Sequence, residues 1–307
     1  MIIYNKVFFR DKFVDFKDAN LSIASSPMLY GLSTYSVMPI YLSHDKTTIN
    51  LFRLRDHYQR LINSSKILGF DDFINSWTEE AFNQKIIELV DQNKIKSDSL
   101  LRMTVFIDDI LPGATSHKLK CSLALFIYPM AGSSNKTFKV LISSWRRNPD
   151  NALPARAKVN GAYVNSALMK NEALHLGFDD ALALDENGHL TESTVSNFFM
   201  IRNKTLITPG NSSDLLEGLT RDTIIKIASI LKLPVELRSI DRTELYLADE
   251  AFLSGSSLSI MPITQIDDKI INKANIGVFT QKISSYYQKM VRGEVEDQFK
   301  FANFIKS

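Results

Sequence analysis

The chain has 307 residues, of which 45% are hydrophobic and 23% charged, and its formal net charge is +2. That length and composition allow a large buried core and leave room for two domains. The near-neutral balance, without a long run of like charge, excludes the charge pattern of a nucleic-acid-binding protein, so small molecules are the expected partners.

The first third of the chain is predicted to form strands with two helices inserted between them. β-Branched and aromatic residues favour strands, and apolar residues at helical spacing favour amphipathic helices. The predicted strands cover residues 2–9, 33–42, 48–52, 99–108 and 118–128, and the predicted helices cover 54–70 and 77–95. The last two strands are expected to lie centrally in the same sheet as the earlier ones.

Pro, Gly and Ser collect in residues 129–138, which is the composition of a linker. The sequence therefore predicts a smaller N-terminal α/β domain over 1–130, a linker over 131–137 and a larger C-terminal domain over 138–307.

The second domain is predicted to alternate strands and helices. We expect a strand at 138–145, a helix at 165–178, a hairpin over 179–201, a helix over 218–233 and one long closing helix from about 276. The hairpin turn is placed at Asn187-Gly188, and Thr220 stands where the N-cap of the 218–233 helix is expected. The N-terminus of that helix is a candidate anion site.

Cys121 is the only cysteine, and the five histidines are scattered, so the sequence predicts neither an internal disulfide nor a zinc site. The apolar start is interrupted by Asn5, Lys6 and Arg10 before a signal-peptide core forms. No later apolar run approaches the roughly 20 residues of a membrane span. We therefore expect a cytoplasmic protein with no membrane and no metal among its partners.

Lys158 lies among small and apolar residues in "ARAKVNGAYVNSA". Loss of solvent disfavours the charged form of a lysine and makes its amine nucleophilic, which Schiff-base chemistry requires. A surface loop lysine is the alternative interpretation, and the nearby Arg156 is compatible with it. The sequence contains no GxSxG, P-loop or GxGxxG motif that would indicate another chemistry.

Glu192 and Asn197 interrupt an otherwise hydrophobic strand in "LTESTVSNFF". An exposed strand residue is the simpler interpretation of Glu192, but a carboxylate can also keep the ring nitrogen of a pyridoxal cofactor protonated. Thr220 at a helix start, the "SGSSLS" turn with Ser256 and Ser257, and Arg60 are three weak signals that together suggest a phosphate site.

Several stretches, among them "KVNGAYVNSALMKNEALHLGFDDALALDENGHLTESTVSNFFMI", "LLEGLTRDTIIKIA" and "LYLADEAFLSGSSLSIMPITQIDDKII", resemble the fold-type IV pyridoxal-phosphate aminotransferases. The similarity is strongest to branched-chain amino acid aminotransferases. It also covers "LFRLRDHYQRLINSSKILGF" and "LRMTVFID" and weakens only in residues 36–50 and 70–98. The resemblance implies a two-domain α/β (α+β) fold with pyridoxal 5'-phosphate in the cleft between the domains.

The resemblance assigns roles residue by residue. Lys158 is expected to form the aldimine with the cofactor and to move the proton between the substrate's α-carbon and C4′. Tyr163 is expected to bind the phenolic O3′, and Glu192 the pyridine nitrogen. The full cofactor-binding set implied is Arg60, Lys158, Tyr163, Glu192, Asn197, Leu219, Thr220 and Ser256.

The resemblance also implies a substrate-binding set, which consists of Tyr30, Tyr35, Arg102, Ser256 and Ser257. Arg102 matches the arginine that branched-chain enzymes use for the distal carboxylate of glutamate. A strand arginine facing solvent is the alternative for Arg102, and core packing is the alternative for the two tyrosines.

Part of the substrate pocket departs from the family pattern. The strand after "YGLSTY" usually reads Phe-Glu-Gly-x-Arg, whereas Ser36, Val37 and Pro39 occupy the Glu, Gly and Arg positions here. Leu100 replaces a tyrosine, and Ser196 stands where branched-chain enzymes have glutamate and D-amino acid aminotransferases tolerate serine.

The resemblance implies ping-pong transamination of leucine, isoleucine and valine with 2-oxoglutarate, by a homodimer or larger homo-oligomer. The alternatives are D-amino acid transamination, aminodeoxychorismate lysis, amine transamination, or a catalytically idle pyridoxal-phosphate-binding protein.

Overall fold

The strands predicted in the first third of the chain form one antiparallel sheet, which the C-terminus completes. The computed structural model describes residues 3–131 and 136–306. Within these residues the strands of the first sheet are β1 (Lys6–Arg10), β2 (Lys12–Asp15), β3 (Ser33–Leu42), β4 (Thr48–Leu51), β5 (Ser99–Ile107), β6 (Cys121–Pro129) and β16 (Phe304–Lys306). Their order in the sheet is β16-β4-β3-β5-β6-β1-β2.

Helices cover one face of this sheet. Met38, Leu101 and Met103 point to that face and are completely buried in a core shared with the helices. Alternate residues of the same strands, including Tyr35 and Arg102, point to the other face because side chains alternate along a strand. The helices of this part are α1 (Ser26–Tyr30), α2 (Leu54–Leu68), α3 (Asp71–Ser76) and α4 (Glu79–Asn93).

The second sheet is mixed. Its strands are β7 (Phe138–Arg146), β8 (Asp180–Leu184), β9 (Leu190–Ser193), β10 (Asn197–Arg202), β11 (Thr205–Thr208), β12 (Val235–Leu237), β13 (Glu250–Gly255), β14 (Ser259–Ile266) and β15 (Lys269–Ile270). They are arranged in the order β12-β11-β10-β13-β14-β7-β8-β9, with β15 beside β14. The accompanying helices are α5 (Tyr163–His175), α6 (Leu219–Ile230) and α7 (Val278–Val291). Short 3₁₀ helices occupy Phe16–Asp18, Arg242–Leu247 and Asn272–Ala274.

The chain divides into two compact units. The first comprises Met1–Ala131, Ala157–Gly161 and Lys289–Ser307, and the second comprises Gly132–Arg156 and Ala162–Gln288. Two segments that the sequence assigned to the C-terminal domain thus pack with the first unit, since 157–161 pairs with β3 and the C-terminus adds β16 beside β4. Residues 132–135, inside the predicted linker 131–137, lie outside the described residues.

Most predicted elements are confirmed, and three details are wrong. The second arm of the hairpin divides into β9 and β10 at a turn over 194–196. Gly218, in extended conformation, is the N-cap of α6, so Thr220 is the second residue of the helix and not its cap. The closing helix ends at Val291, before Gly293 with a φ of 74°. In the described residues no helix combines the length and the apolar character that crossing a membrane requires.

Candidate active site

Lys158 lies in a loop of the first unit whose backbone is held on both sides. The hydroxyl of Thr34 and the N–H of Tyr35 donate to its carbonyl oxygen at 2.9 and 3.0 Å, and its own N–H donates to Ser64 Oγ at 3.2 Å. Its half-buried side chain places Nζ 4.9 Å from the centroid of the Tyr35 ring. The backbone is therefore fixed, while the amine lies against an aromatic face and not in a purely solvated surface loop.

A close approach of two glycines lets this loop reach β3. A Cβ added to Gly31 would lie 2.9 Å from the Gly161 Cα, and Gly31 has a φ of 68° that only glycine adopts without strain. Tyr30, a predicted substrate residue, directly precedes this contact and is 45% exposed. A side chain at Gly31 would therefore push the Lys158 loop away from β3.

The Arg60 side chain extends from α2 toward two buried polar side chains, those of Ser36 and His57. Its Nε and Nη2 lie 3.0 and 2.6 Å from Ser36 Oγ, and Ser36 Oγ lies 2.8 Å from His57 Nδ1. Burial lowers the pKa of His57 well below its ordinary value, and the positive charges of Arg60, Arg53 and Lys158 lower it further. The positive charges of Arg60 and Lys158 therefore both lower the pKa of the same buried ring. The region around these two positive charges is suited to an anion.

Arg102 lies on the face of the first sheet opposite the helices. Its guanidinium is stacked 3.7 Å from the centroid of the Tyr35 ring, and its Nη2 donates to Asn160 Oδ1 at 2.6 Å. Asn160 in turn donates to Ser33 Oγ at 2.7 Å. Arg102 and Asn160 line a cavity of about 320 Å³ whose remaining walls are mostly apolar. The aromatic side chains of that wall are Phe8, Phe9, Phe16, Phe106 and Phe126.

Glu192 is buried in the second unit and held by several groups. Arg147 Nη2 lies 2.5 Å from Glu192 Oε1, while Asn197 Nδ2 and the Leu216 N–H donate to Oε2 at 3.1 and 3.3 Å. The guanidinium and the two neutral donors stabilise the ionised carboxylate. Glu192 is therefore not the exposed strand residue of the simpler interpretation, because only 4% of it is exposed.

The remaining predicted cofactor and substrate residues lie on other elements of the second unit. Tyr163 begins α5, and Leu219 and Thr220 begin α6, whose N-cap Gly218 provides no side-chain cap. Ser256 and Ser257 lie in the turn between β13 and β14. The buried Oγ of Ser254, next to this turn, has no hydrogen-bond partner among the described residues.

Sequence reasoning missed four residues that support the predicted ones. They are His57, Ser64, Arg147 and Asn160. His57 carried a usable signal, since it lies three residues before Arg60 in a predicted helix and residues at that spacing share a face. The contacts of the other three join segments distant in the chain, and no local pattern indicates them.

The sequence model of the amino-transferase class IV family matches residues 40–266, which is most of the chain. The chain belongs to this family and is an aminotransferase of fold type IV. A probable branched-chain-amino-acid aminotransferase of Aquifex aeolicus is 32% identical over 292 residues, covering 94% of this chain and 93% of that protein.

Two solved structures show the same fold. A branched-chain aminotransferase from Thermoproteus uzoniensis with norvaline has a TM-score of 0.92 at 32% identity, covering 97% of this chain and 98% of that chain. A T.th. branched-chain amino acid aminotransferase, complexed with N-(5'-phosphopyridoxyl)-L-glutamate, has a TM-score of 0.90 at 29% identity and covers 99% of both chains. These matches confirm the two-domain α/β fold expected from the resemblance.

Proposed function

We propose that this aminotransferase binds pyridoxal 5'-phosphate and transfers the amino group of leucine, isoleucine or valine to 2-oxoglutarate by a ping-pong mechanism. The observation that carries the proposal is the setting of Lys158, whose backbone is fixed by hydrogen bonds to Thr34, Tyr35 and Ser64 while its amine lies over an aromatic ring. The similar T.th. enzyme contains a phosphopyridoxyl compound.

Several side chains of this protein are suited to the groups of this cofactor. Arg60 and the start of α6, where no side chain caps the helix, are suited to a phosphate. Glu192 is a buried carboxylate already paired with Arg147, and it suits a protonated ring nitrogen. The buried Ser254 Oγ, without a partner among the described residues, leaves a polar atom beside the Ser256 turn for a further contact.

Each residue then has a definite task. Once bound, pyridoxal phosphate supplies an aldehyde for amine capture and a ring that takes up the electron pair of a broken C–H bond. Lys158 Nζ holds the cofactor and later moves the proton between the substrate's α-carbon and C4′. Glu192 keeps the ring nitrogen protonated, and Tyr163 donates to the phenolic oxygen. The remaining cofactor contacts are assigned to Arg60, Asn197, Leu219, Thr220 and Ser256.

The cavity beside Arg102 supports the choice of substrates. Its mostly apolar walls suit an aliphatic side chain, and the Arg102 guanidinium among its lining residues suits the distal carboxylate of glutamate or 2-oxoglutarate. The backbone N–H groups at Ser256 and Ser257 are assigned to the α-carboxylate. Tyr30 and Tyr35 complete the substrate set.

We propose that the chain assembles as a homodimer or a larger homo-oligomer. Ile23, Met28, Ile110 and Leu111 are exposed apolar residues of the first unit, with exposed fractions between 56% and 83%. Their segments are joined, because the Leu111 N–H donates to the Ala24 carbonyl at 3.1 Å. Exposed apolar residues on joined segments favour a protein partner. The cytoplasmic location stays a prediction from the sequence.

The cofactor assignment is tested by absorbance. The purified protein should show a violet-visible band that borohydride abolishes, and Lys158→Ala should lose it. Lys66→Ala, at an exposed position of α2, is the matched control and should keep the band. A wild-type protein without the band, or a band unchanged in Lys158→Ala, would overturn the assignment.

The substrate assignment is tested by half-reactions. L-Leucine, L-isoleucine, L-valine and L-glutamate should each convert the band to the pyridoxamine form, and D-alanine and D-glutamate should not. Arg102→Ala should weaken the response to glutamate far more than the response to leucine. Conversion by the D-amino acids alone would favour the D-amino acid alternative, and no conversion by any of them would favour an idle binding protein.

A further inference from the structure

Ser36, His57 and Arg60 form a polar cluster inside the first unit. Ser36 lies on β3 and is 0% exposed, and His57 on α2 is 1% exposed. His57 and Arg60 lie three residues apart on the helix, so both side chains face the same strand. Most polar groups buried this deeply form hydrogen bonds, so the partners of these three side chains indicate what the cluster does.

The direction of each hydrogen bond follows from the chemistry of the groups. A guanidinium only donates, so the Nε and Nη2 contacts of Arg60 at 3.0 and 2.6 Å occupy both acceptor sites of Ser36 Oγ. The hydroxyl proton of Ser36 is then left to donate to His57 Nδ1, 2.8 Å away. His57 Nδ1 is therefore an acceptor, and the ring's proton lies on Nε2.

The imidazole ring of His57 stays neutral. Burial lowers the pKa of His57, and the charges of Arg60, Arg53 and Lys158 add to this effect. The family usually has glutamate at the position of Ser36, a carboxylate that would also bind an arginine. Arg60 Nη2 also lies 3.2 Å from His57 Nδ1. In this chain the groups that contact Arg60 from positions 36 and 57 therefore both carry no charge.

We propose that Ser36 and His57 are positioning residues that orient the Arg60 guanidinium toward the cofactor's phosphate without placing a negative charge beside it. This inference rests on the proposed function, because it requires pyridoxal phosphate as the ligand. A carboxylate at position 36 would form an ion pair with the guanidinium and so offset part of the positive charge that attracts the dianionic phosphate. A serine that passes its proton to a neutral imidazole fixes the same side chain and does not offset that charge.

The test compares two ligands that differ only in the phosphate. Affinities for pyridoxal phosphate and for pyridoxal are measured by absorbance titration of the apoprotein. We expect Ser36→Ala to bind pyridoxal phosphate about tenfold more weakly than wild type and pyridoxal equally well. His57→Gln, whose amide oxygen accepts the serine proton, should lose less affinity than His57→Leu. Ser65→Ala, also fully buried on α2, is the matched control and should change neither affinity.

Ser36→Glu tests the part played by charge, and it should bind pyridoxal phosphate more weakly than wild type. Equal or tighter binding by Ser36→Glu would overturn the charge argument. Parallel losses for both ligands in Ser36→Ala, or no loss for either, would overturn the positioning role. If wild-type protein forms no violet band or binds pyridoxal as tightly as pyridoxal phosphate, the proposed function itself fails, and this inference fails with it.

Discussion

Arg147 and Glu192 form a buried ion pair whose value depends on both partners being present. The side chains are 13% and 6% exposed, and their closest atoms are 2.5 Å apart. Burying one such charge alone is far more costly than burying the pair. The arginine is therefore expected to act first on stability, since its positive charge compensates the buried Glu192 carboxylate.

We expect Arg147→Met to lower the free energy of unfolding by about 3 kcal/mol, because it leaves the Glu192 carboxylate without its guanidinium. Urea denaturation measures the change. The double variant with Glu192→Gln should lose less than the sum of the single variants. Arg156→Met is the control, since its pair with Asp150 is exposed and worth at most about 1 kcal/mol. A loss below that of Arg156→Met would contradict the prediction.

Gly218 has no side chain, and this leaves room for the Asn197 amide that donates a hydrogen bond to Glu192. A Cβ at this position would lie 2.0 Å from Asn197 Oδ1. We expect Gly218→Ala to displace the amide, break its bond to Glu192 and weaken pyridoxal phosphate binding about tenfold, which a titration detects. Gly210→Ala, with no atom closer than 3.8 Å to its Cβ, should bind like wild type. Unchanged binding in Gly218→Ala would show that Asn197 has no part in the site.

At the scale of elements, helix α7 depends on a carboxylate from another part of the second unit. Glu250 accepts from the N–H groups of Phe279 and Thr280 at 3.0 and 2.7 Å and from the Thr280 hydroxyl at 2.8 Å. A negative charge at this end of a helix complements the orphan donors and the helix dipole.

Removing that carboxylate should loosen the start of α7. We expect Glu250→Ala to lower the free energy of unfolding by about 3 kcal/mol and Glu250→Gln by about 1 kcal/mol, because glutamine keeps one acceptor. Denaturant unfolding gives both values. Glu186→Ala, at an exposed turn, should change stability by less than about 0.5 kcal/mol. Equal effects of the alanine and glutamine variants would exclude a capping role.

The sequence predicted the elements with strong local patterns and missed those formed by distant contacts. Residues 33–42 are predicted and observed as β3, because their β-branched and aromatic side chains favour a strand. The three-residue strand β16 has no such signal and exists only because it pairs with β4. The same holds for the proposed site: the motif around Lys158 predicts a role for that residue, whereas the contacts of Arg147 depend on the fold.

At the scale of the whole molecule, His57 makes stability depend on pH. Its folded-state pKa is depressed, so between that value and the ordinary value near 6.5 the unfolded chain binds a proton that the folded chain does not. The unfolding free energy should therefore fall as the pH drops below about 6.5, with a slope of up to about 1.4 kcal/mol per pH unit from this group.

Urea unfolding between about pH 8 and pH 5.5 measures this dependence. His57→Gln should flatten the slope, and His117→Gln, at an exposed loop position, should leave it as in wild type. A slope that is the same in all three proteins would remove His57 as its source.

The first sheet needs the last residues of the chain. Since β16 covers the edge beside β4, that edge has no partner strand until residues 304–306 have been synthesised, although every other strand of the sheet precedes residue 130. An uncovered edge invites pairing with other chains. Closure of this edge should thus wait for the synthesis of Phe304–Lys306, and a nascent chain halted before Phe304 is the species in which we expect aggregation to begin.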